Sequence, residues 1–176
     1  TSTLVVYELF VPNRPPLEQR TLDAMSADAR TEYLTSRARI AESNGGIPLE
    51  IFKTGMKYEY AFAKAGGLLG SGVDPTGNGG ALFGYGNQRN VELLVEAGFT
   101  PVEAIQIATS NGAKARGIFG ETGSIQVGKN ADLVLVTGNP AQKVTDIKNV
   151  EIVFRDGVGY DVAKMVEAVR GQVGVR

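Results

Sequence analysis

Apolar positions along this chain fall into different rhythms, and each rhythm predicts a different element. Thr3-Leu4-Val5-Val6-Tyr7-Glu8-Leu9-Phe10 is a nearly unbroken apolar run rich in β-branched residues. That is the pattern of a strand buried on both faces. Gly67-Leu68-Leu69-Gly70-Ser71-Gly72-Val73 is a second buried-strand candidate, whose glycines weaken a strand but permit close backbone approach. Between these runs the period lengthens. Pro12 to Pro16 break regular structure, and Ser26 reads as the cap of a charged, exposed helix over 27–43 that stops at Asn44-Gly45-Gly46. Pro48 opens another helix, in which Leu49, Phe52, Met56, Tyr60 and Ala63 make one apolar stripe. Residues 88–97 predict a helix ending at Gly98. Thr100-Pro101-Val102-Glu103 joins a capping box to a proline at the first helical position, and that helix runs to about Thr109. A short helix near 111–116 ends at Gly117.

After residue 120 the pattern turns β-like. Ser124–Val127, Ala131–Val136 and Val150–Phe154 predict short strands. Asp156-Gly157 between Phe154 and Tyr160 is a hairpin signal, and Asp161 caps a terminal helix over 161–169. Two buried strands joined through helices imply a parallel βαβ unit and an α/β fold. Two parallel strands cannot satisfy a free-standing sheet. The pattern therefore predicts a homo-oligomer, or a missing N-terminal part of the same protein. The start at Thr1, without Met, fits the second expectation.

Composition narrows the chemistry. The chain of 176 residues has no His and no Cys. That excludes a Ser-His-Asp triad, a thiol nucleophile, a thiolate zinc site and an imidazole metal ligand within this chain. A self-contained site would rest on carboxylates, Lys, Tyr, Ser or Thr. The net charge is −1, and acidic and basic residues balance in both halves, so no basic stripe predicts nucleic-acid binding. No apolar run approaches the roughly 20 residues of a membrane helix. Glycine numbers 23, about twice the average usage of about 7%. Nine of these lie between Gly66 and Gly86, which marks a place rather than a low-complexity chain.

Ligands in α/β folds gather at the C-terminal ends of parallel strands, and the second strand candidate ends at Asp74. A carboxylate there suits a metal ligand or a general base. Asp74-Pro75-Thr76-Gly77 is also ordinary turn chemistry, the plainer reading of these residues alone. Gly77 to Gly86 meets neither nucleotide-loop fingerprint and reads as an active-site loop, on which Thr76 and Asn78 are candidate substrate hydrogen-bonders. Glu8 is a possible carboxylate partner for Asp74, although a solvated or salt-bridged strand residue explains it more simply. Tyr7 reads as packing, Lys129 as part of an exposed turn, and Asp132 as support for the backbone.

Several segments, in order, resemble the metal-dependent amidohydrolases, most closely their imidazolonepropionase-like branch. Gly72-Val73-Asp74-Pro75-Thr76-Gly77 and Arg89-Asn90-Val91-Glu92-Leu93-Leu94-Val95-Glu96-Ala97-Gly98 resemble the last barrel strand and its helix. Thr100-Pro101-Val102-Glu103-Ala104 and Ala108-Thr109-Ser110-Asn111-Gly112-Ala113 resemble the next helices. Gly123 to Val134 resembles the entry to a C-terminal β-sandwich, and Thr1 to Val6 the preceding strand. The resemblance implies the C-terminal part of a (β/α)8 TIM-type barrel plus the C-terminal half of a small β-sandwich. Residues 1–119 would carry the last barrel strands and helices, 120–160 the sandwich segment, and 161–176 a terminal helix and tail.

The same resemblance implies hydrolysis of a C–N bond in an amide, cyclic amide or N-acyl compound. The cofactor would be one or two divalent ions, zinc foremost. Asp74 matches the family's Asp after the eighth strand, which binds metal and takes a proton from the attacking water. The family's His-x-His pair, bridging Lys or Glu and later His residues have no counterpart here, so the isolated chain is expected to be inactive. The implied partner is a small-molecule substrate, with no nucleic acid and no membrane. Two other classes stand beside this reading. One is a non-catalytic α/β module that associates through unpaired sheet edges. The other is a carboxylate-only Mg²⁺ or Ca²⁺ enzyme using Asp74 and Glu8.

Overall fold

The computed structural model describes residues 1–43, 45–75 and 78–174. The fold is mixed α/β, with a helical body followed by a small antiparallel sheet. The body holds α1 (Leu4–Glu8), α2 (Gln19–Ala24), α3 (Ala27–Ser43), α4 (Leu49–Lys64), α5 (Tyr85–Glu96), α6 (Pro101–Gln106) and α7 (Gly112–Ala115). The sheet is β1 (Leu133–Val136), β2 (Val150–Arg155) and β3 (Val158–Asp161), in that order, and α8 (Val162–Ala168) follows it.

The first predicted strand is the main correction. Residues 4–8 are helical, and only Ser2 bridges in strand fashion, to Ser71. The physical reason is burial on all sides: Leu4, Val5, Val6 and Leu9 are all in the core, and an unbroken apolar run suits a buried helix as well as a buried strand. The parallel direction is as predicted. Ser2 N–H donates to Gly70 O at 2.7 Å and Gly72 N–H to Ser2 O at 2.9 Å, so the expected ladder is reduced to one bridge. Ser124–Val127 forms no strand either. Ile125 is 88% exposed, and no neighbouring strand stabilises β geometry there. α2, directly after the proline segment, has no counterpart among the elements the sequence predicts.

Local signals predicted most other elements. The Ser26 hydroxyl accepts from Ala29 N–H, and Asp161 accepts from Lys164 N–H at the start of α8. Asp156 and Gly157 both take positive φ, 50° and 83°, as the tight hairpin between β2 and β3 requires. The helices predicted over 100–109 and 111–116 form one rod, because a π turn over Ile107–Asn111 joins α6 to α7.

Two apolar clusters meet on α5. Leu93 packs with α1, α3 and α4 residues such as Val5, Tyr33 and Phe52, whereas Val91 and Leu94 pack with Leu69, Phe99 and Ile107. Phe52 and Met56 of the predicted α4 stripe are buried. The sheet is different. Among the described residues no apolar side chain after Ala113 is fully buried, and Leu133, Val134, Leu135 and Tyr160 stay exposed.

The capping box gives a pH expectation. The Thr100 hydroxyl accepts from Glu103 N–H at 3.2 Å, and the Glu103 carboxylate accepts from Thr100 N–H at 2.8 Å and Lys64 Nζ at 2.5 Å. Lys64 first, then Thr100, holds the Glu103 carboxyl down to about 2 from its ordinary 4.5. A depressed acid stabilises the fold above its unfolded value, so this contribution is present above pH 4.5 and fades as pH falls towards 2. An NMR titration of Glu103 is expected to show the low midpoint, and Lys64→Met to raise it.

Candidate active site

The chain between Leu69 and Asp74 is held by the bridge to Ser2 and by two asparagine amides. Asn90, on α5, is 0% exposed. Its Nδ2 donates to Ser71 Oγ at 2.8 Å and to Ser2 O and Ser2 Oγ at 3.3 Å, while its Oδ1 accepts from Val5 N–H at 3.1 Å. One side chain thus joins both bridge strands to α1 and α5. From the π turn, Asn111 Nδ2 donates to Leu69 O at 3.1 Å. Both asparagines lie in the family-like segments, yet their roles depend on partners 19 to 88 residues away, which the sequence does not reveal.

Asp74 follows this clamped segment, exposed and with φ of 43°, a left-handed conformation that Asp tolerates better than most residues. Val73, immediately before it, is buried against α5. A Cβ on Gly86 would collide with the Val73 side chain, so this glycine lets the first turn of α5 close on the strand end.

Of the two loop residues expected to touch substrate, Thr76 lies outside the described residues. Asn78 is buried; its Nδ2 donates to Leu9 O at 3.5 Å and its Oδ1 accepts from Gly80 N–H at 3.2 Å. Its amide holds the loop to α1, and contact with a substrate would have to displace these bonds.

Glu8 does not pair with Asp74. Its Oε1 accepts from Arg14 Nη2 at 2.6 Å and Arg89 Nη2 at 2.7 Å, and its Oε2 from Arg89 Nε at 2.9 Å. The salt-bridged reading of Glu8 therefore holds, with both oxygens committed to guanidinium groups. The network extends through Arg14 to Glu96 at 2.6 Å and through Arg89 to Glu92 at 2.8 Å. Arg14 holds the Glu96 carboxyl below its ordinary range.

Two smaller readings also meet their partners. Asp132 supports the backbone as expected, accepting from Asp156 N–H at 3.0 Å. Lys129 is half-buried rather than in an exposed turn: its ammonium donates to Phe119 O and Ser124 Oγ and lies 3.8 Å from the Phe119 ring centroid. Tyr7 is exposed rather than packed.

These residues do not make a metal site by themselves. Among the described residues no group of three or more His, Cys, Asp or Glu side chains is placed to hold an ion. Asp74 is a single carboxylate, and Glu8 is fully engaged, so the carboxylate-only enzyme lacks its second ligand.

Comparison with known proteins bears on the motifs around Asp74. The sequence profile of the amidohydrolase family matches residues 62–159, more than half of the chain. A 5'-deoxyadenosine deaminase of Methanobrevibacter smithii is 43% identical over 58 residues, which is 33% of this chain and 13% of the relative. An adenine deaminase of Listeria monocytogenes is 32% identical over 75 residues, 42% of this chain and 13% of the relative. The solved structure of a Xaa-Pro dipeptidase with methionine bound in its active site matches with a TM-score of 0.54 and 27% identity. That match covers 80% of this chain and 33% of the dipeptidase. The chain therefore spans about a third of the solved relative, and the matched stretches a smaller share of the curated ones. The imidazolonepropionase-like branch is not singled out by these matches. With the profile running from α4 through the clamped strand, Asp74, α5 and the sheet, the chain belongs to the amidohydrolase family.

Proposed function

We propose that this chain is the C-terminal portion of a hydrolase that breaks C–N bonds in small molecules, and that Asp74 is the carboxylate it contributes to the reaction. The observation that carries this reading is the placement of Asp74, exposed at the end of a strand segment that Asn90 and Asn111 pin from two helices. Deamination and dipeptide cleavage, the activities named for the relatives, both replace a C–N bond with a C–O bond. In that chemistry water loses a proton as its oxygen attacks carbon. Asp74 would take that proton and return it to the departing nitrogen. The fold context would be the last part of a (β/α)8 barrel and one half of a β-sandwich.

The amidohydrolase family is generally metal-dependent, and the ion would take one ligand, Asp74, from this chain. Its remaining ligands would come from other residues of the whole protein. The full polypeptide is expected to release ammonia or amine from a panel of aminopurines, dipeptides and N-acyl compounds, and to lose that activity on chelation. The isolated chain is expected to release none. Hydrolysis by the chain alone, or activity surviving exhaustive chelation, overturns the reading. The exposed apolar sheet favours association as a second role; sedimentation of the chain as a compact monomer at high concentration would exclude it.

A further inference from the structure

A cavity of about 290 Å³ lies between α1, α2, α3, the start of α5 and the 3₁₀ turn Val144–Lys148. Its charged lining is nearly self-balanced, and the imbalance is informative. Each carboxylate in the wall already holds cations. Glu8 has Arg14 and Arg89, Glu18 has Arg20 and Lys148, and Glu92 has Arg89 and an ion pair with Lys148 at 2.9 Å. Arg37, on α3, is different. Its guanidinium donates only to main-chain carbonyls, Leu9 O at 2.9 Å, Val11 O at 3.0 Å and Arg14 O at 3.0 Å, with no carboxylate partner among the described residues. Three of its five N–H groups fix the orientation of the fork, and two remain.

Hydroxyl donors add to the excess. Tyr33 is 1% exposed, and its hydroxyl oxygen accepts from Leu17 N–H at 3.0 Å, which leaves its own proton to give. Tyr85 keeps a buried hydroxyl with no partner among the described residues. Both residues line the cavity, together with apolar Val5, Leu9 and Leu17. The lining therefore offers one positive charge without a carboxylate partner, the Tyr33 hydroxyl proton and an apolar wall, and the one buried carboxylate oxygen among the described lining residues that accepts no hydrogen bond, Glu92 Oε1, is already ion-paired with Lys148. From this we infer that the cavity is a binding site for a small monocarboxylate with a short apolar body, Arg37 being its counter-ion. A dianion such as phosphate would need a second free cation, which the lining does not supply. Gly86 belongs to the same wall and packs against Val73, the residue before Asp74. The inference needs no catalytic role for Asp74 and is tested by binding alone.

The test is an NMR titration of the ¹⁵N-labelled chain with propionate and butyrate, against propionamide, butyramide and inorganic phosphate at matched ionic strength. Saturable shifts of the Leu17, Gly80 and Gly86 amides are expected with the carboxylates, and at least tenfold weaker binding with the amides. Arg37→Gln is expected to weaken carboxylate binding at least tenfold. Because Arg37 also ties the 9–14 segment, Thr145→Trp is the second variant. Thr145 is exposed at the cavity wall, and an indole there fills the space while leaving Arg37 in place. It is expected to weaken binding by at least tenfold as well. Equal response to acid and amide, no saturable shift, tighter binding of phosphate, or undiminished binding by Thr145→Trp overturns the assignment.

Discussion

Asp74→Asn, introduced into the full polypeptide, is expected to lower kcat by about a thousandfold, or about 4 kcal/mol of barrier, with no loss of fold. The size follows from the proposed role. A carboxamide keeps the shape of the side chain but exchanges one acceptor oxygen for a donor NH2 and cannot take a proton from water. Asparagine is the informative substitution because of the backbone. The φ of 43° lies in the left-handed region, which Asn occupies nearly as readily as Asp, whereas Ala would add strain of its own. Asp74 is exposed and Asn suits the same backbone conformation, so the variant should stay folded. Steady-state kinetics and urea unfolding on the same preparation separate the two effects. Turnover within a few-fold of the parent, in a folded protein, removes Asp74 from the proton-transfer role.

How far the sequence reveals this molecule depends on the range of the interactions involved. The starts of α3, α6 and α8 and the β2–β3 turn are readable because their signals, Ser26, Thr100 with Glu103, Asp161 and Asp156-Gly157, lie within a few residues of what they organise. The segment over 4–8 is not. Its apolar run has no period to separate helix from strand, and the Val5 N–H finds its acceptor 85 positions away on Asn90. The site divides in the same manner. Asp74 stands out through its glycine-rich motif and the family it resembles. The turning of Asn78 towards Leu9 depends on a segment 69 residues earlier. Glu8 could be read as salt-bridged in kind, but Arg89 as its partner could not, since 81 residues separate them. Lys129 likewise looks like surface until the Phe119 ring and carbonyl close around it.

Asn90→Ala is the substitution expected to cost the fold most. The removed amide serves the Val5 N–H, the Ser71 hydroxyl and both oxygens of Ser2, in a position with no access to water. Ser2 O retains its bond from Gly72 N–H, so that loss is partly recovered, whereas the two serine hydroxyl oxygens lose the donor they accept from. The Val5 N–H has no such freedom because α1 is buried around it. A buried donor left unpaired costs about 1–3 kcal/mol, and the space vacated by the amide adds to that. The expected loss is about 3 kcal/mol, a large part of the 5–15 kcal/mol typical of a domain. Urea unfolding should show it, and hydrogen exchange should show loss of protection at the Ser2 and Gly72 amides, which make the strand bridge. Asn111→Ala removes one bond to Leu69 O from a half-buried position and should cost only about 1 kcal/mol. Asn90→Asp separates polarity from shape. It keeps an acceptor for Val5 N–H but turns a carboxylate oxygen towards Ser2 O, and burial raises the pKa of that new carboxyl above its unfolded value. Its stability should therefore be highest in acid, where the carboxyl is protonated and can donate, and should fall as pH rises through the raised folded-state pKa. An Asn90→Asp variant as stable as the parent at neutral pH would mean that the two main-chain bonds of the bridge and the packing around it hold the two segments together without the Asn90 amide.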